Sequence, residues 1–139
     1  MPGGISNPVV GYVAFCAIKV CGYSLAARFI SRSYAYEGRS AWTIGASRTG
    51  IGMIAGGLYY SAILFVSPHL PREVGWLYLA GFLPIRILEW WLLLWLFYDR
   101  RLEHKAKGWR IVALATLWSY VVDIPAVAGM FVTGGMWIC

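Results

Sequence analysis

The sequence is poor in charge and in the residues that most often build metal and catalytic sites. Only 13% of its 139 residues are charged, and it contains two His and three Cys. Soluble domains average about 25% charged residues. The shortage of charge therefore indicates a protein that faces lipid.

The few His and Cys residues argue against several kinds of site. His69 and His104 fall in two connecting segments that are predicted to lie on opposite sides of a membrane. They therefore predict neither a haem held by two His nor a zinc site. Cys16 and Cys21 lie about 140° apart around a helix and are interpreted as small apolar fillers. We predict no catalytic residue, no metal and no cofactor.

Two further signals are absent. The glycine-rich stretch "GASRTGIGMIAGG" lacks the preceding strand and the Lys of a phosphate-binding loop. The N-terminal sequence "MPGGISNP" lacks the basic region of a secretory signal, so the first apolar segment is expected to stay in the protein. The net charge of +6 follows the ends of apolar segments, and nucleic acid is not an expected partner.

Long apolar segments are what the sequence does have. Each of four segments reaches the length of about 20 residues that a helix needs to cross a membrane. They cover residues 8–30, 41–66, 74–98 and 109–137. Short polar connections separate them, and no internal repeat is present. We therefore expect an all-α integral membrane protein, with one domain over residues 1–139 and four transmembrane helices in an antiparallel bundle.

Basic residues near the ends of the segments predict the orientation. Arg72 is the one basic residue on the predicted outer side, whereas nine lie around the first and third connections. These nine are Arg28, Arg32, Arg39, Arg48, Arg100, Arg101, Lys105, Lys107 and Arg110. Basic residues favour the cytoplasmic side. Segments 31–40 and 99–108 are therefore predicted to face the cytoplasm, with both termini outside, in a plasma or inner membrane.

Five ionisable residues lie inside the apolar segments: Lys19, Arg48, Arg86, Glu89 and Asp123. A lone charge at the centre of a bilayer costs about 3 to 10 kcal/mol, so these residues are expected to face the protein interior and to pair. Arg86 and Glu89 share a helix face. Asp123 matches the depth of Lys19 or Arg86, and Glu89 that of Arg48. Arg48 is also expected to reach toward cytoplasmic water.

Other residues extend this polar interior. Tyr12 and Tyr23 recur at helical spacing with Lys19, and Ser119 and Tyr120 do so with Asp123. We interpret them as further members of a polar network or of a pathway for a ligand or ion.

A separate face of the second segment predicts close helix packing. Gly45, Thr49, Gly52 and Gly56 recur at intervals of 4, 3 and 4 residues and so share one side of a helix. The sequence leaves open whether this face meets a helix of the same chain or a second subunit.

Two function classes remain open, because buried charges serve either pairing or transport. In the favoured class the chain is a non-catalytic subunit or binding partner, whose charged and glycine faces dock a larger membrane assembly or an identical copy. In the second class it is a small oligomeric transporter or channel for an ion, proton or polar solute, with Lys19, Arg86, Glu89 and Asp123 as the pathway. An enzyme acting on a lipid or quinone is less favoured. The expected partners are the lipid bilayer and other membrane subunits, or self-association.

Overall fold

A computed structural model describes residues 8–66, 75–101 and 103–133, with side chains over 12–65, 81–101 and 103–125. Over these residues the protein contains helices and no strand, as predicted. The four helices are α1 (Pro8–Tyr34), α2 (Ala41–Val66), α3 (Gly75–Phe97) and α4 (Lys105–Thr133). That the whole chain forms a single domain stays a prediction.

Helices α1 and α4 both extend beyond the predicted segments. Helix α1 continues past Ile30 to Tyr34, and α4 begins at Lys105 rather than Trp109. The predicted segments stop at the first polar residues, but polar turns continue a helix where backbone hydrogen bonds are still formed. The end of the fourth predicted segment, 134–137, lies outside the described residues.

A left-handed residue ends α1. Ala35 has φ 48°, and the N–H of Tyr36 donates to the carbonyl of Ser31 at 2.9 Å. This bond across six residues is the pattern that satisfies carbonyl groups at the end of a helix. Ser40 then caps α2, because its Oγ accepts a hydrogen bond from the N–H of Thr43 at 3.2 Å. The first connection is therefore short and held by hydrogen bonds at both ends.

The helices form an antiparallel ring in chain order. Each helix packs against its neighbours in sequence, and α1 also packs against α4. Tyr34 and Tyr98 bring the first and third connections to the same end, with ring centroids 5.7 Å apart. We call this end of the bundle, with residues 35–40, 98–101 and 103–104, the loop end. Because the described parts of opposite helices do not pack backbone to backbone, the centre of the ring is filled by side chains.

An apolar core lies between the centre of the bundle and the loop end. Its largest members are Tyr23, Ile44, Trp90, Leu93, Leu94 and Val112. The outer surface is also apolar, and exposed side chains there include Ile54, Leu58, Phe65, Leu88, Leu114 and Leu117. Both the inside and the outside of the helices are therefore lined largely by apolar groups.

One helical segment within the described residues meets the length and hydropathy required to cross a membrane. It is Tyr12–Tyr34, with 23 residues and a mean hydropathy of 1.6. The core helix of a soluble protein passes the same test, so this is weak evidence for a membrane.

Candidate functional site

The structure brings the five ionisable residues singled out in the sequence into one layer at the centre of the bundle. This charged layer consists of Lys19 from α1, Arg48 from α2, Arg86 and Glu89 from α3, and Asp123 from α4. All except Asp123 are buried, and the Asp123 side chain is 16% exposed. Each helix thus contributes at least one charge to the same interior.

Two carboxylates divide the three cations between them. Arg48 Nη2 donates to Glu89 Oε2 at 2.6 Å. Asp123 binds two cations, with Lys19 Nζ 3.0 Å from its Oδ1 and Arg86 Nη2 donating to its Oδ2. Asp123 therefore links α4 to both α1 and α3, and the second pair links α2 to α3. Arg86 and Glu89 lie on the same helix but bind different partners.

Aromatic rings surround the cations of the charged layer. The guanidinium of Arg48 lies 4.9 Å from the Tyr23 ring and 5.0 Å from the Trp90 ring. The hydroxyl of Tyr23 also accepts a hydrogen bond from Arg86 Nη1 at 3.1 Å. The ring faces attract cations, most strongly where water is excluded. The expectation that Arg48 reaches toward water was wrong: it is 1% exposed, because these rings and Glu89 hold it inside.

Tyr120 and Tyr12, two further predicted polar residues, have different contacts. The Tyr120 ring lies 5.6 Å from the Arg86 guanidinium and so belongs to the charged layer. The Tyr12 hydroxyl donates to the sulfur of Met53 across α1 and α2 at 3.8 Å, and Met53 lines a small void in the charged layer.

Trp90 is a central residue that the sequence analysis did not single out. Its Nε1 donates to Ser119 Oγ at 2.8 Å, and Ser119 Oγ donates in turn to the carbonyl of Ala115 at 3.0 Å. Ser119, expected in the polar network, therefore joins α3 to α4 beside the charges. The signal for Trp90 is its position four residues after Arg86, which places the two on one face of α3.

The glycine face of α2 meets helices of the same chain. A Cβ atom on Gly45 would lie 2.6 Å from the backbone N of Ser24 in α1. Thr49 Oγ1 donates to the Gly45 carbonyl at 3.0 Å, and Gly56 is buried. A Cβ on Gly52 would lie 2.9 Å from Arg48 Nη1. Small residues therefore let α1 approach α2 and leave room for the Arg48 side chain.

A small void remains within the charged layer. Its volume is about 10 Å³, and its lining includes Lys19, Tyr23, Arg48, Gly52 and Glu89. A cavity of this size holds about one water molecule. The Nε and Nη1 atoms of Arg48 have no acceptor among the described residues. One bound water would satisfy such a donor, whereas a larger solute does not fit.

A second candidate site lies at the loop end, between the first connection, α2 and α3. We call it the loop-end cavity, and its volume is about 630 Å³. It is lined by Tyr36, Arg39, Thr43, Ser47, Leu96, Phe97, Tyr98 and Arg100. In the sequence, the basic residues of this region indicate only the orientation of the helices. Their convergence on one cavity depends on how the connection folds against α3.

The charged layer is built from ion pairs. Glu89 is bound to one cation of the same chain and Asp123 to two. Whether the layer also binds a ligand or passes an ion stays a prediction. Comparisons with protein-family models, curated proteins and solved structures found no match to this chain.

Proposed function

We propose that this chain is an integral membrane protein whose four helices all cross the bilayer, and that it acts as a non-catalytic subunit or binding partner in a membrane assembly. The observation that carries the proposal is an inverted distribution of polarity. Charges are buried and paired at the centre of the described bundle, while large apolar side chains cover its outside.

The apolar exterior supports membrane insertion. Phe65 is 84% exposed, and Ile54 and Leu58 are each 68% exposed on the same helix. Soluble monomers rarely expose contiguous apolar patches of more than a few hundred Å². In a bilayer such side chains meet lipid tails, and the buried polar residues are those that lipid would solvate worst.

Aromatic and basic residues support the orientation. Trp42, Trp95 and Trp109 are exposed near the loop end, on three different helices. Trp side chains concentrate at membrane–water boundaries, and basic residues favour the cytoplasmic side. The loop end therefore faces the cytoplasm, with segments 31–40 and 99–108 there and both termini on the other side, in a plasma or inner membrane.

The filled interior supports a subunit role over a pathway. Glu89 and Asp123 are bound by cations of the same chain, and the void beside Glu89 admits about one water molecule. The charged residues and the face around Gly45 are used inside the bundle. Contacts with a larger assembly or a second copy then form on the outer faces of the helices, rather than on the charged and glycine faces expected from the sequence.

The experiment is extraction of the tagged chain from its native membrane in a mild detergent. We expect another membrane protein, or a second copy of the chain, to copurify at fixed stoichiometry through size-exclusion chromatography. A clean monomer under these conditions would count against the proposal.

Transport is the second candidate, and the N–H groups of Arg48 that have no acceptor among the described residues favour it. The layer also has three cations against two carboxylates, which leaves one positive charge for an anion to balance. Ion flux into liposomes that contain the purified chain distinguishes the two. Flux that Asp123→Asn abolishes while the fold remains intact would favour a transporter, whereas loss of folding alone would favour the subunit.

A further inference from the structure

The loop-end cavity combines polar and apolar walls. Arg39 and Arg100 are exposed there, and Thr43 and Ser47 add two hydroxyl groups. Leu96, Phe97 and the rings of Tyr36 and Tyr98 form the rest of the lining. At about 630 Å³ the cavity falls within the usual size range for small-molecule sites. Such a lining fits an amphiphile with a charged group beside an apolar part.

One wall of the cavity is held rigidly. The rings of Tyr36 and Tyr98 meet edge to face, with centroids 5.1 Å apart. The Tyr98 hydroxyl donates to the carbonyl of Ala27 at 3.1 Å and lies 3.1 Å from Ser31 Oγ. The left-handed turn at Ala35 delivers Tyr36 to this position. A wall that is already ordered lowers the entropy cost of binding.

The cavity carries uncompensated positive charge. Neither Arg39 nor Arg100 forms an ion pair with a carboxylate among the described residues, and no acidic side chain lines the cavity. Asp99 precedes Arg100, but its carboxylate accepts hydrogen bonds from the N–H groups of residues 103 and 104, each at 3.1 Å. Two guanidinium groups beside hydroxyl donors are well suited to a phosphate.

The position of the cavity along the helices indicates that a phosphate bound there would come from a phospholipid. Trp42 on α2 and Trp95 on α3 each directly precede a residue that lines the cavity, and both are exposed. Exposed Trp residues are typical of the boundary between membrane and water. We propose that the loop-end cavity binds the headgroup of an anionic phospholipid. Arg39 and Arg100 hold the phosphate, and Leu96 contacts the start of an acyl chain. This inference rests on the membrane placement in the proposed function and does not depend on a partner subunit.

The test measures lipid binding to the purified chain by native mass spectrometry from mixed micelles. Phosphatidylglycerol is compared with phosphatidylcholine and with uncharged diacylglycerol. We expect one phosphatidylglycerol to be retained in preference to the others, because Arg39 and Arg100 place two positive charges in the loop-end cavity. Replacing both guanidinium groups in Arg39→Gln/Arg100→Gln is expected to lower this affinity about tenfold.

A matched double variant controls for general attraction between charges. Arg32→Gln/Arg110→Gln removes the same charge from exposed positions that do not line the cavity, and its affinity should change less than about twofold. Ser47→Leu narrows the cavity without changing any charge and should also weaken binding. If the two double variants lose the same lipid affinity, the cavity is not the binding site. The same follows if neither Ser47→Leu nor Arg39→Gln/Arg100→Gln changes the lipid affinity.

Inorganic phosphate separates a lipid from a soluble anion. If inorganic phosphate raises the melting temperature of the chain and displaces the bound lipid, then the cavity binds a soluble phosphate. That result would contradict the lipid assignment. Flotation of the chain with liposomes checks membrane placement independently. A chain that floats but shows no lipid preference contradicts this inference alone, and a chain that does not float contradicts the proposed function as well.

Discussion

The charged layer and the loop-end cavity use the same residue type in opposite ways. Arg48 is 1% exposed and bound to Glu89, whereas Arg39 and Arg100 are exposed and lack a carboxylate partner among the described residues. The difference lies in solvation. A buried guanidinium needs a partner in the protein, but an exposed one is solvated and remains available to a ligand.

The two regions should also respond differently to substitution, one in stability and the other in ligand binding. Removing one partner of a buried ion pair leaves an uncompensated charge, and that is far more costly than losing a screened contact at the surface. Substitutions in the charged layer should therefore act first on folding. Substitutions of the two arginines at the loop end should act on ligand affinity with little change in stability.

The largest expected effect is in the charged layer. Asp123→Asn leaves Lys19 and Arg86 without a carboxylate and should lower the free energy of unfolding by about 3 to 5 kcal/mol. Equilibrium unfolding in mixed micelles measures it. The matched control is Glu103→Gln, since Glu103 forms an exposed pair with Arg101 at 3.8 Å and should show no measurable change. Similar stability in both variants would remove the distinction between the two regions.

A smaller loss of stability is expected where α1 and α2 meet. Gly45→Ala should lower the free energy of unfolding by about 1 to 3 kcal/mol, because the new Cβ would meet the backbone of Ser24. Gly57→Ala is the control, since a Cβ there has nothing within 4 Å. If Gly45→Ala matches the control, then α1 and α2 do not meet closely at Gly45 in solution.

The smallest effect, and the one of opposite sign, is at the loop end. Ala35→Gly should raise the free energy of unfolding by about 0.5 kcal/mol, because glycine adopts the positive φ without a steric penalty and this gain exceeds its greater loss of chain entropy. Ala46→Gly, within α2, should instead lower it by about 0.5 to 1 kcal/mol. Destabilisation by both changes would mean that Ala35 is not strained in solution.

The helices were predictable to different degrees. The bounds of α2 agree with the sequence prediction at 41–66, because its apolar segment begins and ends with the helix. The end of α1 was missed, since the last turn of the helix is polar and stops at the left-handed Ala35. Hydropathy follows the apolar part of a helix, whereas hydrogen bonding sets where the helix ends.

The candidate sites were also predictable only in part. The depth of each charge along its segment allowed Asp123 to meet either Lys19 or Arg86, and the structure pairs it with both. Trp90 was not singled out, because an indole in an apolar segment resembles its neighbours until its N–H meets Ser119. The loop-end cavity was not anticipated, since its arginines come from two connections that are distant in sequence.

The sequence by itself determined that the described residues form four helices, and it indicated that the five ionisable residues within them would face the interior and pair. Both follow from local properties: the length of an apolar segment, and the cost of leaving a charge without water or a partner. The tertiary structure decided that Glu89 binds Arg48, that Gly45 meets α1, and that Arg39 and Arg100 share a cavity. These depend on how each helix is rotated and how far each side chain reaches, which no single segment specifies.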